Sequence, residues 1–386
     1  MTAPTALPNL TQYERLGIDR DFNLADGHAH QFQDAGQRDI VRKLAVTFAE
    51  SERTRQGELE RAFQERFYAL AGQSSAAGRP HTLLCYSAST SIDLVAAFLS
   101  ARGATVNLLR PCFDNLPGIL RRRGAALRPV GERELTGPGL EERLRAPGPQ
   151  ALFLTLPNNP TGFALDEAAF THVARCCAAT GTILVVDWTF RFFAPYETWD
   201  QYAVLARAGT SYLCVEDTGK TWPTLDLKCS ILAASEDLYG PLYELHNDIL
   251  LNVSPFVLHL VTRYLEDTAR RGLEATVRGL VRNNRLRLRE ALEGTGLAPV
   301  RPDGTISVEW VRIGRPALTS LDVVRMLGDA GVAVLPGDHF HWDDPRAGSR
   351  YVRFALARDT SLFAEACARV AAVLRGTARP GGGGAR

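Results

Sequence analysis

The chain has 386 residues, 45% of them hydrophobic and 23% charged, with a formal net charge of +1. That length supports more than one domain around a large core. The balanced charge excludes the basic field that nucleic acid or an anionic membrane surface would require. No apolar run approaches the roughly 18 residues of a membrane span. The opening MTAPTALPNLTQYERLG has neither the basic region nor the apolar stretch of a secretory leader, so the reducing cytoplasm is the expected location. Seven scattered cysteines without CxxC spacing argue against a disulfide framework or a zinc site. The HxH pairs His28/His30 and His339/His341 lack the acidic companions of an HExxH site, so no metal is expected.

In chain order, residues 40–72 predict one charged amphipathic helix. From residue 81 short β-rich runs alternate with helical stretches: strands at 81–87, 104–111, near 126–130, 151–157, 182–187, 211–217 and 229–235, and helices at 90–101, 114–123 and 166–179. A helical stretch from Pro255 to about Glu293 follows with little interruption. Beyond it come strand signals at 305–313, 331–336 and 351–357 and helices at 319–330 and 360–375. Continuous apolar strands flanked by helices predict an α/β fold with a mostly parallel sheet covered on both faces, and a smaller α+β unit behind it. Ligands on such sheets bind beyond the carboxyl ends of the strands.

Three segments stand at those positions. LPNNPTG (156–162) follows one apolar strand, Asp187 ends TILVVD, and Lys220 lies in the loop after SYLCVED. Taken singly they are a turn, a helix cap and a surface lysine. Their order and spacing together resemble the fold-type-I pyridoxal-phosphate enzymes, the aspartate aminotransferase superfamily, over nearly the whole chain. The resemblance makes Lys220 the amine that carries the cofactor, Asp187 the partner of the pyridine nitrogen, and Asn159 a hydrogen-bond donor to its phenolic oxygen. It places Phe113 against the ring, and Ser87, Ser89, Thr90 and Lys228 around the phosphate. Ser254 is given to the partner subunit's phosphate, Thr189 to a cofactor contact, and Arg353 to the substrate carboxylate. The chemistry needs these groups. An amine forms an imine and then serves as a base, a carboxylate favours the charged pyridine, and a guanidinium offers a planar fork to a carboxylate.

Two departures narrow the resemblance. Phe190 stands where transaminases carry a tyrosine. Asp217 stands where a hydroxyl residue touches phosphate, so it is expected to face a cationic substrate, with bracing of its own loop as the plainer alternative. With NLTQYERL, FNLADGHA, EDTGKTWPTLDLK and ILLNVSP, the chain resembles the PLP-dependent arginine oxidases of actinomycete natural-product pathways from about residue 9 to 375. In these a short N-terminal helix covers the active site. The guanidinium partners map onto Thr11, Glu14 and Asp217, and Asp26 and His28 approach the substrate, His28 as a catalytic group. Thr11 to Glu14 also reads as a capping box, and Asp26-Gly27 as a turn. His30, His339 and His341 read as structural, and Trp188 and Trp222 as packing.

The resemblance implies an N-terminal arm over 1–45 joined to the small domain, a large cofactor domain over 46–274, a small domain over 275–376 and a Gly-rich, disordered tail over 377–386. It implies oxidation of L-arginine by O2 to 4-hydroxy-2-oxo-arginine, with 2-oxo-arginine as a side product, in a homodimer. A 4,5-desaturase, a conventional class I/II aminotransferase and a non-catalytic binding protein are the alternatives.

Overall fold

The computed structural model describes residues 7–78, 81–194 and 199–376; the glycine-rich tail lies outside them. Helix α1 (Leu10–Gly17) precedes a seven-stranded sheet. Its strands are β1 (Thr82–Cys85), β2 (Thr105–Arg110), β3 (Ala126–Gly131), β4 (Gln150–Thr155), β5 (Ile183–Asp187), β6 (Tyr212–Asp217) and β7 (Ser230–Ala234). They lie in the order β1-β7-β6-β5-β4-β2-β3. All run parallel except β7, which is antiparallel to both neighbours. This is the expected α/β architecture.

Alternate residues of each strand enter opposite cores, as a period of two requires. Leu152, Leu154, Leu184 and Val186 join one apolar cluster, and Ala151, Phe153 and Val185 the other. The central strands β4, β6 and β7 are buried at every position, which explains their unbroken apolar runs.

A second, antiparallel sheet is formed by β8 (Leu297–Pro299), β9 (Val308–Ile313), β10 (Leu335–Pro336) and β11 (Tyr351–Ala355), in the order β10-β11-β9-β8. The arm is strapped to this part of the chain. Phe22–Asn23 pairs in parallel with Val332–Ala333, and His30 bridges Arg358. Leu10 and Tyr13 of α1 pack with Ala25, Trp310, Leu335 and Phe340.

Two helical expectations are corrected. Residues 40–72 are not one helix: Ala35–Arg42, Leu44–Arg53 and Gln56–Leu70 are separate. Thr54 turns its hydroxyl onto the Glu50 carbonyl at 2.8 Å and leaves the helical region at ψ 137°, the local competition that hydroxyl side chains offer. The stretch after Pro255 divides into Pro255–Arg271, a π turn at Glu274–Arg278 and a helix over Gly279–Leu292. Gly272 stops the first of these at φ +86°, a conformation that favours glycine. Among the described residues no helix is long and apolar enough to cross a membrane.

Candidate active site

A cavity of about 310 Å³ opens at the carboxyl ends of β4, β5 and β6, which contribute Thr155, Asp187 and Asp217 to its wall. Twelve of the residues singled out from the sequence line it: Thr11, Glu14, His28, Ser87, Ser89, Phe113, Asn159, Asp187, Thr189, Asp217, Lys220 and Lys228. Four do not: Asp26, Thr90, Ser254 and Arg353. Asp26 and Arg353 stand directly behind lining residues. Thr90 is engaged with the helix cap, and Ser254 sits at the start of the helix Pro255–Arg271 without capping it.

One end of the cavity is the N-terminus of helix α2 (Ala88–Ala101). Ser87 caps it, its Oγ accepting the Thr90 amide at 3.2 Å and sharing a bond with the Thr90 hydroxyl at 3.1 Å. Such an end presents free amides and a positive dipole to an anion. Lys228 adds an ammonium group, held 3.1 Å from Asp226.

Asp217 lines the cavity and is at the same time held by backbone. Its Oδ2 accepts the Ala88 amide at 2.8 Å and its Oδ1 the Gly219 amide at 2.6 Å. Both oxygens are therefore engaged by backbone, and the carboxylate ties the α2 turn to the loop that carries Lys220. This is the bracing alternative. The loop has no room for bulk, since a Cβ on Gly219 would lie 2.6 Å from Lys228 Cδ.

Asp187 lies at the cavity floor, 9% exposed. Burial pushes its carboxyl up to about 6, against hydrogen bonds from the Thr189 amide (2.9 Å) and hydroxyl (2.5 Å) to Oδ1. The loop that carries Thr189 is clamped from behind. Arg191 forms a buried two-pronged pair with Glu216 of β6 at 2.7 and 2.5 Å, and its guanidinium lies 4.1 Å from the Trp188 ring centre.

Lys220 is half-buried, and desolvation draws its ammonium below the usual lysine range, against the fields of Asp26, Glu14 and Asp217. Its Nζ lies 3.3 Å from His28 Nδ1 and 3.4 Å from Nε2, and Lys228 Nζ lies 3.0 Å from Nε2. Asp26 Oδ1 sits 2.6 Å from His28 Nδ1. A carboxylate only accepts, so Nδ1 carries the proton and Nε2 presents a lone pair to the lysines. Burial and the two lysines hold the His28 imidazolium below its ordinary range, with Asp26 opposing them. For Asp26 itself, burial acts upward, but bonds from His28 and His30 outweigh it and keep the carboxyl well below the usual range.

Arg353 is 1% exposed. Its guanidinium reaches Asn159 Oδ1 at 3.3 Å, Glu14 Oε1 at 3.4 Å and the Ala25 carbonyl, while Nε is buried without a partner. A Cβ on Gly27 would sit 3.7 Å from Lys220 Nζ and 3.8 Å from both Arg353 terminal nitrogens, so the missing side chain leaves space between amine and fork.

Thr11 and Glu14 reach the cavity from α1. The capping-box reading of Thr11 fails, because Asn9 is the cap and accepts the Gln12 amide at 3.0 Å.

Two positioning groups carried no signal in the sequence. Asp114 accepts the Leu10 amide at 2.8 Å, across 104 residues. Arg358, 7% exposed, gathers the carbonyls of Asn23, Asp26 and His28 and so shapes the His28 loop. Both act on backbone atoms distant in sequence, which no spacing rule reads.

A family model for aminotransferase class I and II matches residues 22–370. The chain belongs to that family. Its members are PLP-dependent, and the residues described here fit the cofactor: one half-buried amine, one buried acid, an aromatic wall at Phe113 and amides for a phosphate. A solved structure of MppP soaked with the product 2-ketoarginine shares 38% identity at a TM-score of 0.86, over 90% of this chain and 98% of that one. The aspartate aminotransferase of Thermus thermophilus with maleate shares the fold at 21% identity and a TM-score of 0.75, over 95% and 97% of the two chains. The arginine–pyruvate transaminase AruH of Pseudomonas aeruginosa is 24% identical over 362 residues, 90% of this chain and 83% of its own length. The match to aromatic-amino-acid aminotransferase 2 of Thermococcus litoralis spans only 59% of that protein.

Proposed function

We propose that this family member is a PLP-dependent oxidase of L-arginine that uses O2 and yields 4-hydroxy-2-oxo-arginine, with 2-oxo-arginine as side product, in natural-product biosynthesis. The observation that carries the reading is an acid-bearing roof facing one half-buried lysine across a single cavity, with an arginine fork directly behind its lining. Arg353 stands behind Asn159 and Glu14, Glu14 and Thr11 hang from α1, and Phe190 lines the wall where a transaminase carries tyrosine.

When bound, the cofactor supplies an aldehyde that captures the substrate amine and a ring that withdraws electrons from its Cα. The remaining work belongs to the chain. Arg353 takes the α-carboxylate on its planar fork, exchanging it for Glu14. Glu14 and Thr11 then face the guanidinium tail, and an uncharged tail would leave Glu14 buried and unpaired, a strong basis for selectivity. Lys220, with its ammonium lowered by burial, takes the Cα proton. His28, its Nδ1–H fixed by Asp26, presents Nε2 to a water and directs it to the substrate. Asp187 holds the nitrogen side of the cofactor. Ser87, Ser89, the α2 amides and Lys228 hold its phosphate, and Ser254 serves the partner's. The arm moves with the small domain, consistent with the pairing of Phe22 with Val332.

The enzyme acts as a homodimer in the cytoplasm. The apolar side chains left exposed on the large domain, among them Phe48, Leu225, Ile249 and Leu251, are the surface a second copy would cover.

An oxygen electrode with L-arginine as sole substrate tests the reaction. Oxygen consumption with a product heavier than 2-oxo-arginine by one oxygen atom supports it. Turnover only on addition of a 2-oxo acid, the activity named for AruH, makes the protein an aminotransferase instead. An unsaturated product makes it a desaturase.

A further inference from the structure

The loop that carries His28 places two imidazoles on one carboxylate. Asp26 Oδ1 bonds His28 Nδ1 at 2.6 Å, and Oδ2 bonds His30 Nε2, also at 2.6 Å. The ring centres are 6.3 Å apart. His28 lines the cavity, whereas His30 lies outside it with 38% of its side chain exposed. Backbone contacts hold the arrangement: the His30 amide donates to the Ala357 carbonyl at 3.0 Å, and Arg358 grips the carbonyls of Asp26 and His28. The His28 amide also donates to Asp26 Oδ1 at 2.9 Å, so backbone holds that oxygen beside the His28 ring.

We propose that His30 is a positioning residue for His28: by occupying Oδ2 it completes, with the His28 amide on Oδ1, the fixing of the carboxylate against the cavity-facing ring, and its own protonation decides how much of the Asp26 charge reaches that ring. A carboxylate has one charge and two oxygens. Held by the His28 amide on Oδ1 and by His30 on Oδ2, it cannot swing about its Cβ–Cγ bond, so the His28 ring keeps Nε2 towards Lys220. A proton on His30 draws the same charge away and makes a proton on His28 harder to hold. Other charged groups also face His28. Lys220 and Lys228 approach Nε2 at 3.4 and 3.0 Å, Asp226 stands 3.7 Å from it, and Arg358 is on its carbonyl. Glu14 and Arg353 act electrostatically on Asp26. Among these groups an imidazole shared through Asp26 is the one that changes charge in the physiological range.

The catalytic meaning rests on the assignment of His28 as the residue that directs water; the coupling between the rings does not. The test is NMR of cofactor-loaded full-length protein labelled at histidine Cε1, with His28→Gln assigning the resonance. Wild type, His30→Ala and His30→Gln are titrated with pH. Sharing of one carboxylate predicts a two-step His28 curve in wild type and a single step in both variants. In His30→Ala the affinity of His28 for its proton rises roughly tenfold. His30→Gln, whose amide still donates to Oδ2 without charging, keeps the His28 ring resonances of wild type at high pH. Superimposable curves for all three proteins overturn the proposal, whether or not arginine is oxidised. A displaced curve in protein that consumes no oxygen with arginine upholds the coupling and overturns the assigned reaction.

Discussion

Asp187 lies where folding and cofactor binding oppose each other, and Asp187→Asn separates them. The carboxyl is 9% exposed, and burial raises it from the ordinary 3.8 to about 6. At pH well above 6, holding it ionised in the cofactor-free fold costs about 3 kcal/mol, since a tenfold change in proton affinity is worth about 1.36 kcal/mol. The sign follows from the direction. A raised folded pKa means that the folded state binds the proton more tightly than the unfolded chain. Its contribution is therefore fully present below pH 3.8 and is lost as pH rises through 6.

Asparagine keeps an acceptor at Oδ1 for the Thr189 amide and hydroxyl and carries no charge. Cofactor-free Asp187→Asn should match wild type near pH 4 and exceed it at pH 7.5 to 8. For a chain of this length about 3 kcal/mol corresponds to about 4 °C in Tm. Loading with pyridoxal phosphate should reverse the order, because the wild-type carboxylate then faces a protonated ring nitrogen. Thermal melts of both proteins at several pH values, stripped and loaded, make the measurement. A gap that does not vary with pH, or a stripped wild type that is the more stable protein at pH 8, refutes the reasoning.

The remaining predictions concern the walls and roof. Lys220→Ala should abolish the visible absorbance of lysine-bound cofactor, read by spectrophotometry of the purified protein. Glu14→Gln should lower kcat/KM for arginine roughly ten- to a hundredfold through loss of a charge-assisted bond, with a smaller loss for citrulline, measured by steady-state oxygen consumption. Asp217→Ala removes the acceptor of two backbone amides and should cost about 3 kcal/mol in denaturant unfolding, together with weaker cofactor retention. A variant that loses only arginine selectivity would instead place Asp217 on the substrate. Asp114→Ala should speed amide hydrogen exchange across residues 10–17 about tenfold without changing the cofactor spectrum.

Much of this site was legible because its parts stand at the ends of strands whose apolar runs are unmistakable. TILVVD and SYLCVED announce where Asp187 and the Lys220 loop must emerge, since a strand buried on both faces can only deliver polar groups at its tip. The same reasoning did not reveal what holds the Asp217 carboxylate. Position along the strand is a one-dimensional fact, whereas the Ala88 amide that captures it comes from a different strand end. Asp114 and Arg358 stayed hidden for the same reason, their partners being main-chain atoms with no residue identity. The broken helix at Thr54 shows the reverse failure. A charged amphipathic pattern runs through it undisturbed, and a single hydroxyl turned on the backbone interrupts what periodicity would continue.

The two-residue pairing of Phe22–Asn23 with Val332–Ala333 fastens the segment bearing His28 and Glu14 to the C-terminal part of the chain. The covalent thread of that segment meanwhile continues into the sheet that bears Lys220. Any swing of the C-terminal part therefore drags the imidazole and the acid along with it. Should such a swing admit substrate, it would deliver both groups in the same mechanical event, and an enzyme held ajar would be one disarmed.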